Sequence, residues 1–116
     1  MASVTVEGSE LVVTLARNEK LWGLLSDLRV PISAISAVEV VPDGRRAVHG
    51  MRAPGLGGRQ RLIGTWRATN DRQYVCVRRD QPAVKVTLVG ERFRTVLVGL
   101  DDADGVATDI RAATHR

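Results

Sequence analysis

The sequence has a single cysteine, few aromatic residues and no long apolar run, and each shortage excludes a class of protein. With Cys76 as the only cysteine, the chain cannot form an internal disulfide, which is typical of a reducing compartment. Cys76 also alternates with valines, so we interpret it as a small core residue. No run reaches the ~20 apolar residues of a membrane span, and the first residues do not resemble a signal peptide. We therefore expect a cytoplasmic protein.

Residues that carry catalysis are equally sparse. The two histidines are His49 and His115, and no serine lies in a G-x-S-x-G motif. No His, Cys or carboxylate pair has the spacing of metal ligands. Asp101, Asp102 and Asp104 stand where a helix is expected to begin, and the helix dipole favours negative charge there. The sequence therefore predicts no catalytic, cofactor-binding or metal-binding residues and no enzyme.

Acidic residues are scarce in the middle of the chain, and the net charge of +4 is therefore unevenly distributed. Residues 1–43 contain six acids and three bases, residues 44–100 contain three acids and twelve bases, and the remainder contains four acids and two bases. A basic middle region attracts phosphates or an anionic membrane. Nearly all of these bases are arginines, and the alternative is that they only cover the surface of a chain from a GC-rich genome.

What the sequence has in abundance is valine in period-two alternation, which favours β-strands. Asn18 is an expected cap of a short helix, and the residues after Asp104 form a second helix with Val106, Ile110 and Ala113 on its apolar face. Tyr74–Leu88 is expected to form a hairpin that turns through residues 79–82. The expected strands are 4–6, 11–15, 37–41, 62–67, 74–78, 83–88 and 95–98.

About seven short strands with close turns predict a mainly β fold, a bent antiparallel sandwich or barrel. We expect residues 1–116 to form a single domain, because the length is that of one domain. The C-terminal helix is expected to cover an open end of the barrel.

Four segments, at residues 30–40, 50–55, 64–67 and 74–88, resemble small stand-alone bacterial pleckstrin-homology-like domain proteins. The resemblance extends from about Arg29 to Ala112. It implies a seven-stranded, strongly bent sheet pair capped by one C-terminal helix. It also implies a scaffold that binds lipids, peptides or other proteins.

The sequence departs from that family at two places that concern function. Eukaryotic members hold phosphoinositides with Lys and Arg between their first two strands, whereas here Glu7-Gly8-Ser9-Glu10 is acidic and repels phosphate. The usual tryptophan of the closing helix is absent, since Val106 and Ile110 occupy its apolar face. The resemblance therefore does not imply phosphoinositide binding in the familiar manner.

The segment from Gly44 to Asn70 contains six arginines and no acid. Gly55–Arg59 brings backbone N–H groups near a guanidinium, as in an anion-binding nest, although neither G-x-x-x-x-G-K-[ST] nor G-x-G-x-x-G is present. A long loop here is either functional, mobile, or a strand that the pattern does not reveal. The candidate anion-binding or partner-binding residues are Arg45, Arg46, Arg52, Arg59 and Arg61.

The favoured interpretation is a non-enzymatic scaffold that acts through protein–protein contact or self-association by an exposed strand edge. The alternative is peripheral binding of anionic lipid or another phosphate ligand through the Arg/Gly-rich loop 44–61. Nucleic acid is disfavoured because Trp66 and Tyr74 are expected in the core and neither expected helix is basic.

Overall fold

Nine β-strands, one short 3-10 helix and one α-helix form the described part of the chain. The computed structural model describes residues 3–15, 27–44, 51–57, 61–68, 71–78 and 80–114, so the helix expected after Asn18 lies outside the described residues. The elements are β1 (Ser3–Glu7), β2 (Glu10–Thr14), β3 (Leu28–Pro31), η1 (Ile32–Ala34), β4 (Ile35–Val41), β5 (Met51–Gly57), β6 (Arg61–Ala68), β7 (Asp71–Arg78), β8 (Ala83–Leu88), β9 (Thr95–Gly99) and α1 (Ala103–Thr114).

The first sheet is an antiparallel meander of β1, β2 and β3. Gly8 and Ser9 alone connect β1 to β2, and Gly8 has a φ of 61°. A positive φ at the first turn residue only is typical of a type II′ turn, whose twist matches that of the flanking strands. The hairpin expected from the alternation of valines is therefore confirmed.

The second sheet has six strands in the order β4-β8-β9-β7-β6-β5. Its pairs are antiparallel except β7 and β9, which run parallel. The expected Tyr74–Leu88 hairpin is wrong, because β9 lies between β7 and β8 and pairs with both. Alternation locates strands along the chain but does not say which strands are neighbours, so the pattern was compatible with either arrangement.

The fold class is mainly β, as expected, with two corrections. The described residues form nine strands rather than seven, and the sheets do not close into a barrel. The expected loop at 44–61 is also wrong in part, since Met51–Gly57 is strand β5 and pairs with β6. Proline and two glycines within β5 weaken its strand propensity, and the pairing with β6 overrides that preference.

The main core lies between the two sheets and α1. It takes one face of β8 and β9 together with the inner side of the first sheet, for example Leu11, Val86 and Val96. The opposite face of the larger sheet carries a second cluster around Trp66, Val75, Val77, Ala83 and Leu97. Alternate residues of β7 and β9 therefore enter different clusters, which explains why these two strands are buried along their length.

Helix α1 begins as the acidic residues predicted. Asp102 caps it by accepting a 3.2 Å hydrogen bond from the backbone N–H of Gly105 through Oδ1, which satisfies one of the N–H groups at the helix start. Asp101 accepts a 2.9 Å hydrogen bond from Nε2 of the buried Gln81. The helix buries Ala107 and Ile110 and contacts β1, β4 and β8, so it packs against both sheets. It does not close a barrel end.

Candidate functional site

The structure describes the backbone positions of only two of the five arginines expected to form one site. Arg45, Arg46 and Arg59 lie outside the described residues. Arg52 lies in β5 and pairs with Trp66 of β6. Trp66 is five residues from Arg61 along β6, which corresponds to roughly 17 Å of extended chain. The two described members of the set therefore belong to different ends of the β5–β6 hairpin.

The first three residues of the expected anion nest, Gly55–Gly57, belong to a strand. Gly55 and Gly57 lie in β5, where they pair with Gly64 and Leu62 of β6. Backbone N–H groups of paired strands alternate between the partner and the open edge instead of converging on one point, as a nest requires. Gly58 and Arg59 lie outside the described residues.

The register places arginines opposite each other at both ends of the β6–β7 pair. Arg61 pairs with Arg78, and Arg67 pairs with Arg72. Sequence reasoning missed both pairs because they depend on the register of β6 and β7.

A second group of basic residues surrounds the turn between β8 and β9. We call Arg72, Arg92 and Arg94, together with the exposed Val89, the arginine tip. The backbone N–H of Arg94 donates to the carbonyl of Arg72 at 2.9 Å, so β7 and the turn lie side by side. Val89 is 65% exposed, a high value for an apolar side chain. The run Glu91-Arg92-Phe93-Arg94 is the sequence signal for two of these arginines. Their proximity to Arg72 depends on the pairing of distant segments, which the sequence pattern does not reveal.

One member of the arginine tip has a role in the fold. The Arg92 guanidinium lies 5.4 Å from the centre of the Phe93 ring, within the range of a cation–π interaction. Phe93 is buried and meets Tyr74 edge to face at 5.3 Å between ring centres. The turn is therefore anchored by Phe93, which holds the neighbouring arginines at the surface.

Unpaired strand edges are the other candidate binding surfaces, and three of the four described edges are protected. Strand β3 has four residues and ends in Pro31, which has no N–H. Strand β4 receives Arg111 of α1, whose Nη2 donates to the carbonyl of Val38 at 3.1 Å. Strand β5 contains Pro54 at a shift in its register with β6. Each of these features hinders the addition of a further strand.

Strand β1 has none of these protections within the described part of the chain. Its register with β2 is regular from Ser3 to Glu7. A two-residue turn is closed by a hydrogen-bonded pair, here Glu7 with Glu10. Hydrogen-bonded and non-hydrogen-bonded pairs alternate along an antiparallel ladder, so Thr5 is the next residue that bonds to β2. The N–H and C=O groups of Val4 and Val6 therefore point to the outer edge. The open edge therefore offers two donors and two acceptors from Val4 and Val6.

A groove of about 570 Å³ runs between β1 and α1, next to this edge. We call it the β1 groove. Its walls combine small apolar side chains with polar groups such as Asp109, and its size is that of ordinary ligand sites. Val4 and Val6 are only half-buried, as is Val106 on the helix side. The lining residues are Val4, Thr5, Val6, Gly8, Val106, Asp109, Ile110, Ala112 and Ala113.

The charge at the end of β1 is balanced by Arg29 of β3 in the same sheet. Arg29 of β3 lies 3.8 Å from Glu7 and 3.5 Å from Glu10, measured between guanidinium nitrogen and carboxylate oxygen. The acidic turn noted in the sequence is therefore bridged by one arginine. Because all three side chains are about half exposed, these ion pairs add little stability.

The described residues contain no group of three or more His, Cys, Asp or Glu side chains placed to hold a metal ion. They also include no helix with both the length and the hydropathy of a membrane span. Comparison of the chain with protein-family models, with curated proteins and with solved structures found no match.

Proposed function

We propose that this protein is a non-enzymatic interaction module that binds an extended protein segment as an added strand along β1. The observation that supports this most directly is the contrast among edges. Strands β3, β4 and β5 carry a proline or an arginine contact, whereas β1 presents the outward N–H and C=O groups of Val4 and Val6. An edge of that kind is a template for strand addition.

The β1 groove supplies the part of the interaction that depends on side chains. In an added antiparallel strand, residues opposite Val4 and Val6 lie on the same face as these valines. Their side chains therefore meet the groove wall formed by Val106 and Ala113 of α1. Backbone hydrogen bonds provide affinity in such complexes, and pockets for alternate side chains provide specificity. We expect β-branched side chains at every second position of the ligand.

Selection of short random peptides by phage display tests this proposal. The protein is used at concentrations where it sediments as a monomer, so that its own edge remains accessible. We expect enriched peptides with alternating β-branched residues. We expect Val106→Arg to weaken their binding about tenfold or more, because a long charged side chain replaces the apolar valine that the peptide would contact. Thr108→Arg is the matched control, since Thr108 is an exposed position of the same helix outside the groove.

Amide hydrogen exchange gives a second readout at the backbone. Bound peptide should slow exchange at Val4 and Val6, whose N–H groups face the open edge, and leave Thr5 almost unchanged because its N–H already bonds to β2. Failure to enrich any peptide, or peptides that bind Val106→Arg as well as the unchanged protein, would contradict the proposal.

A second candidate function is peripheral binding of anionic lipid, the alternative that the sequence also suggested. The arginine tip favours it, because Val89, Arg92 and Arg94 are all exposed in the same turn between β8 and β9. Arginines near an anionic surface contribute attraction that falls with salt. This candidate replaces the loop 44–61 as the contact surface, since β5 occupies much of that segment.

Co-sedimentation with phosphatidylserine vesicles tests the second candidate, with inorganic phosphate as a competitor to separate a lipid surface from a free phosphate ligand. We expect the double variant Arg92→Glu/Arg94→Glu to lose about tenfold or more of the binding at low salt. The double variant Arg52→Glu/Arg59→Glu is the comparison, because these arginines belong to the stretch 44–61 that the sequence suggested. Equal binding by all three proteins would exclude both sets of arginines.

The pleckstrin-homology-like assignment stays a prediction. Two β-sheets and a C-terminal helix agree with it. The parallel pairing of β7 with β9 differs from the antiparallel arrangement that the resemblance implies.

A further inference from the structure

We propose that the segment which β1 binds is β1 of a second copy of this chain, so that two molecules pair across a two-fold axis at Thr5. This inference rests on the proposed strand addition and names its partner. It follows from the sequence of the edge itself, from the positions of its charges and from the register that the first hairpin imposes.

The residues of β1 are self-complementary about Thr5. The strand reads Ser-Val-Thr-Val-Glu, and the valines at its second and fourth positions are the residues with outward N–H and C=O groups. When two such strands meet antiparallel with Thr5 opposite Thr5 of the second copy, Val4 of each chain pairs with Val6 of the other. Each pair exchanges two backbone hydrogen bonds, so the open groups of both edges are satisfied together.

The side chains and charges agree with the same register. Valine pairs lie on the groove face, and the exposed threonines lie next to each other on the outer face; β-branched pairs of both kinds stabilise neighbouring strands. Glu7 is the one charged residue of β1, and it falls opposite Ser3 of the second copy rather than opposite another acid. Arg29 already lies near Glu7 within its own chain.

The size of the contact sets the expected strength. A five-residue strand pair buries less than the roughly 1,200–2,000 Å² of a stable interface, so we expect a reversible dimer with a micromolar or weaker dissociation constant. Because both copies carry a net charge of +4, added salt should strengthen the dimer by screening their repulsion. A membrane or phosphate contact responds to salt in the opposite direction.

Sedimentation of charge-swapped variants over a micromolar to millimolar range tests the two-fold axis. Thr5→Glu and Thr5→Lys each place like charges opposite each other in the dimer, and we expect each to raise the dissociation constant about fivefold or more. An equimolar mixture places Glu opposite Lys and should return the dissociation constant to about that of the unchanged protein. Because Thr5 is exposed, the thermal transition should change little in either variant.

Thr14→Glu is the matched control, because Thr14 is an exposed threonine of the same sheet on the inner strand β2. It should leave the dimer unchanged. Equal weakening by Thr14→Glu, or a mixture that fails to recover, would overturn the axis at Thr5. A monomer at every concentration that still binds selected peptides along β1 would overturn self-pairing and leave the proposed function standing. A monomer that binds no peptide would overturn both.

Discussion

The hairpins at the outer ends of the two sheets differ in regularity. In the β1–β2 hairpin, five consecutive pairs run from the turn to Ser3 and Thr14 without interruption. In the β5–β6 hairpin, the register shifts at Pro54, and Gly64 of β6 has a φ of 146° at the same level. One hairpin keeps a continuous register along its edge strand, and the register of the other is interrupted.

The two edges also differ in whether they are protected against the addition of a strand. Natural sheets protect long regular edges with prolines, bulges or charges because unpaired backbone groups otherwise recruit other chains. Strand β5 has a proline and a bulge, whereas β1 keeps a regular edge beside a groove. A regular edge that persists next to a groove of ligand size favours a role in binding over a defect in protection.

Gly64→Ala should break the irregular hairpin and has the largest expected effect. At a φ of 146° an L side chain is strained, so we expect the free energy of unfolding to fall by about 2 kcal/mol. Thr65→Ala is the control, since Thr65 is the next residue of the same strand and has no positive φ. Urea unfolding measures both, and equal losses would mean that the bulge imposes no special conformation on Gly64.

Gly8→Ala applies the same reasoning to the regular hairpin, with a smaller expected effect. Gly8 has a φ of 61° but no atom within 4 Å of an added Cβ, so only the backbone conformation is penalised. We expect a loss of about 1 kcal/mol, which lowers the melting temperature by roughly 4 °C. Ser9→Ala in the same turn should have almost no effect. A larger loss from Ser9→Ala would argue against the type II′ turn.

The regular parts of the molecule are the parts that the sequence predicted. Strand β8 has its predicted bounds, and its burial follows the alternation, with Val84 and Val86 buried and Lys85 partly exposed. The first hairpin and the Asp102-capped helix were predicted for equally local reasons, namely a short turn and acids at a helix start. Local patterns sufficed because the turn, the cap and the alternation that mark these elements each lie within a few residues of the chain.

What the sequence did not predict depends on which strands pair with each other. Strand β5 carries Pro54 and three other residues with low strand propensity, and only its register with β6 makes it extended. The insertion of β9 between β7 and β8 is a matter of topology that alternation cannot encode.

The candidate sites divide in the same way. An exposed strand edge was expected, but identifying β1 required knowing what protects the other edges, such as Arg111 at β4. The arginine tip joins Arg72 to Arg94 across residues far apart in sequence. The stretch 44–61 was expected to form one site because its arginines are close along the chain. In the structure, Arg52 and Arg61 lie at different ends of the β5–β6 hairpin.

Arg29→Ala should have the smallest effect on stability, and it tests whether ion pairs or packing hold β3 against the regular hairpin. Arg29 lies within 4 Å of both Glu7 and Glu10, yet all three side chains are about half exposed, so water and salt screen the attraction. We expect a loss below about 1 kcal/mol at low salt that disappears at high salt. Glu7→Gln/Glu10→Gln in the Arg29→Ala background completes a mutant cycle that isolates the ion pairs. A loss that persists at high salt would mean that packing rather than charge holds β3 against this hairpin. The aliphatic part of Arg29 could provide that packing, because Arg29 pairs with the buried Val12 of β2.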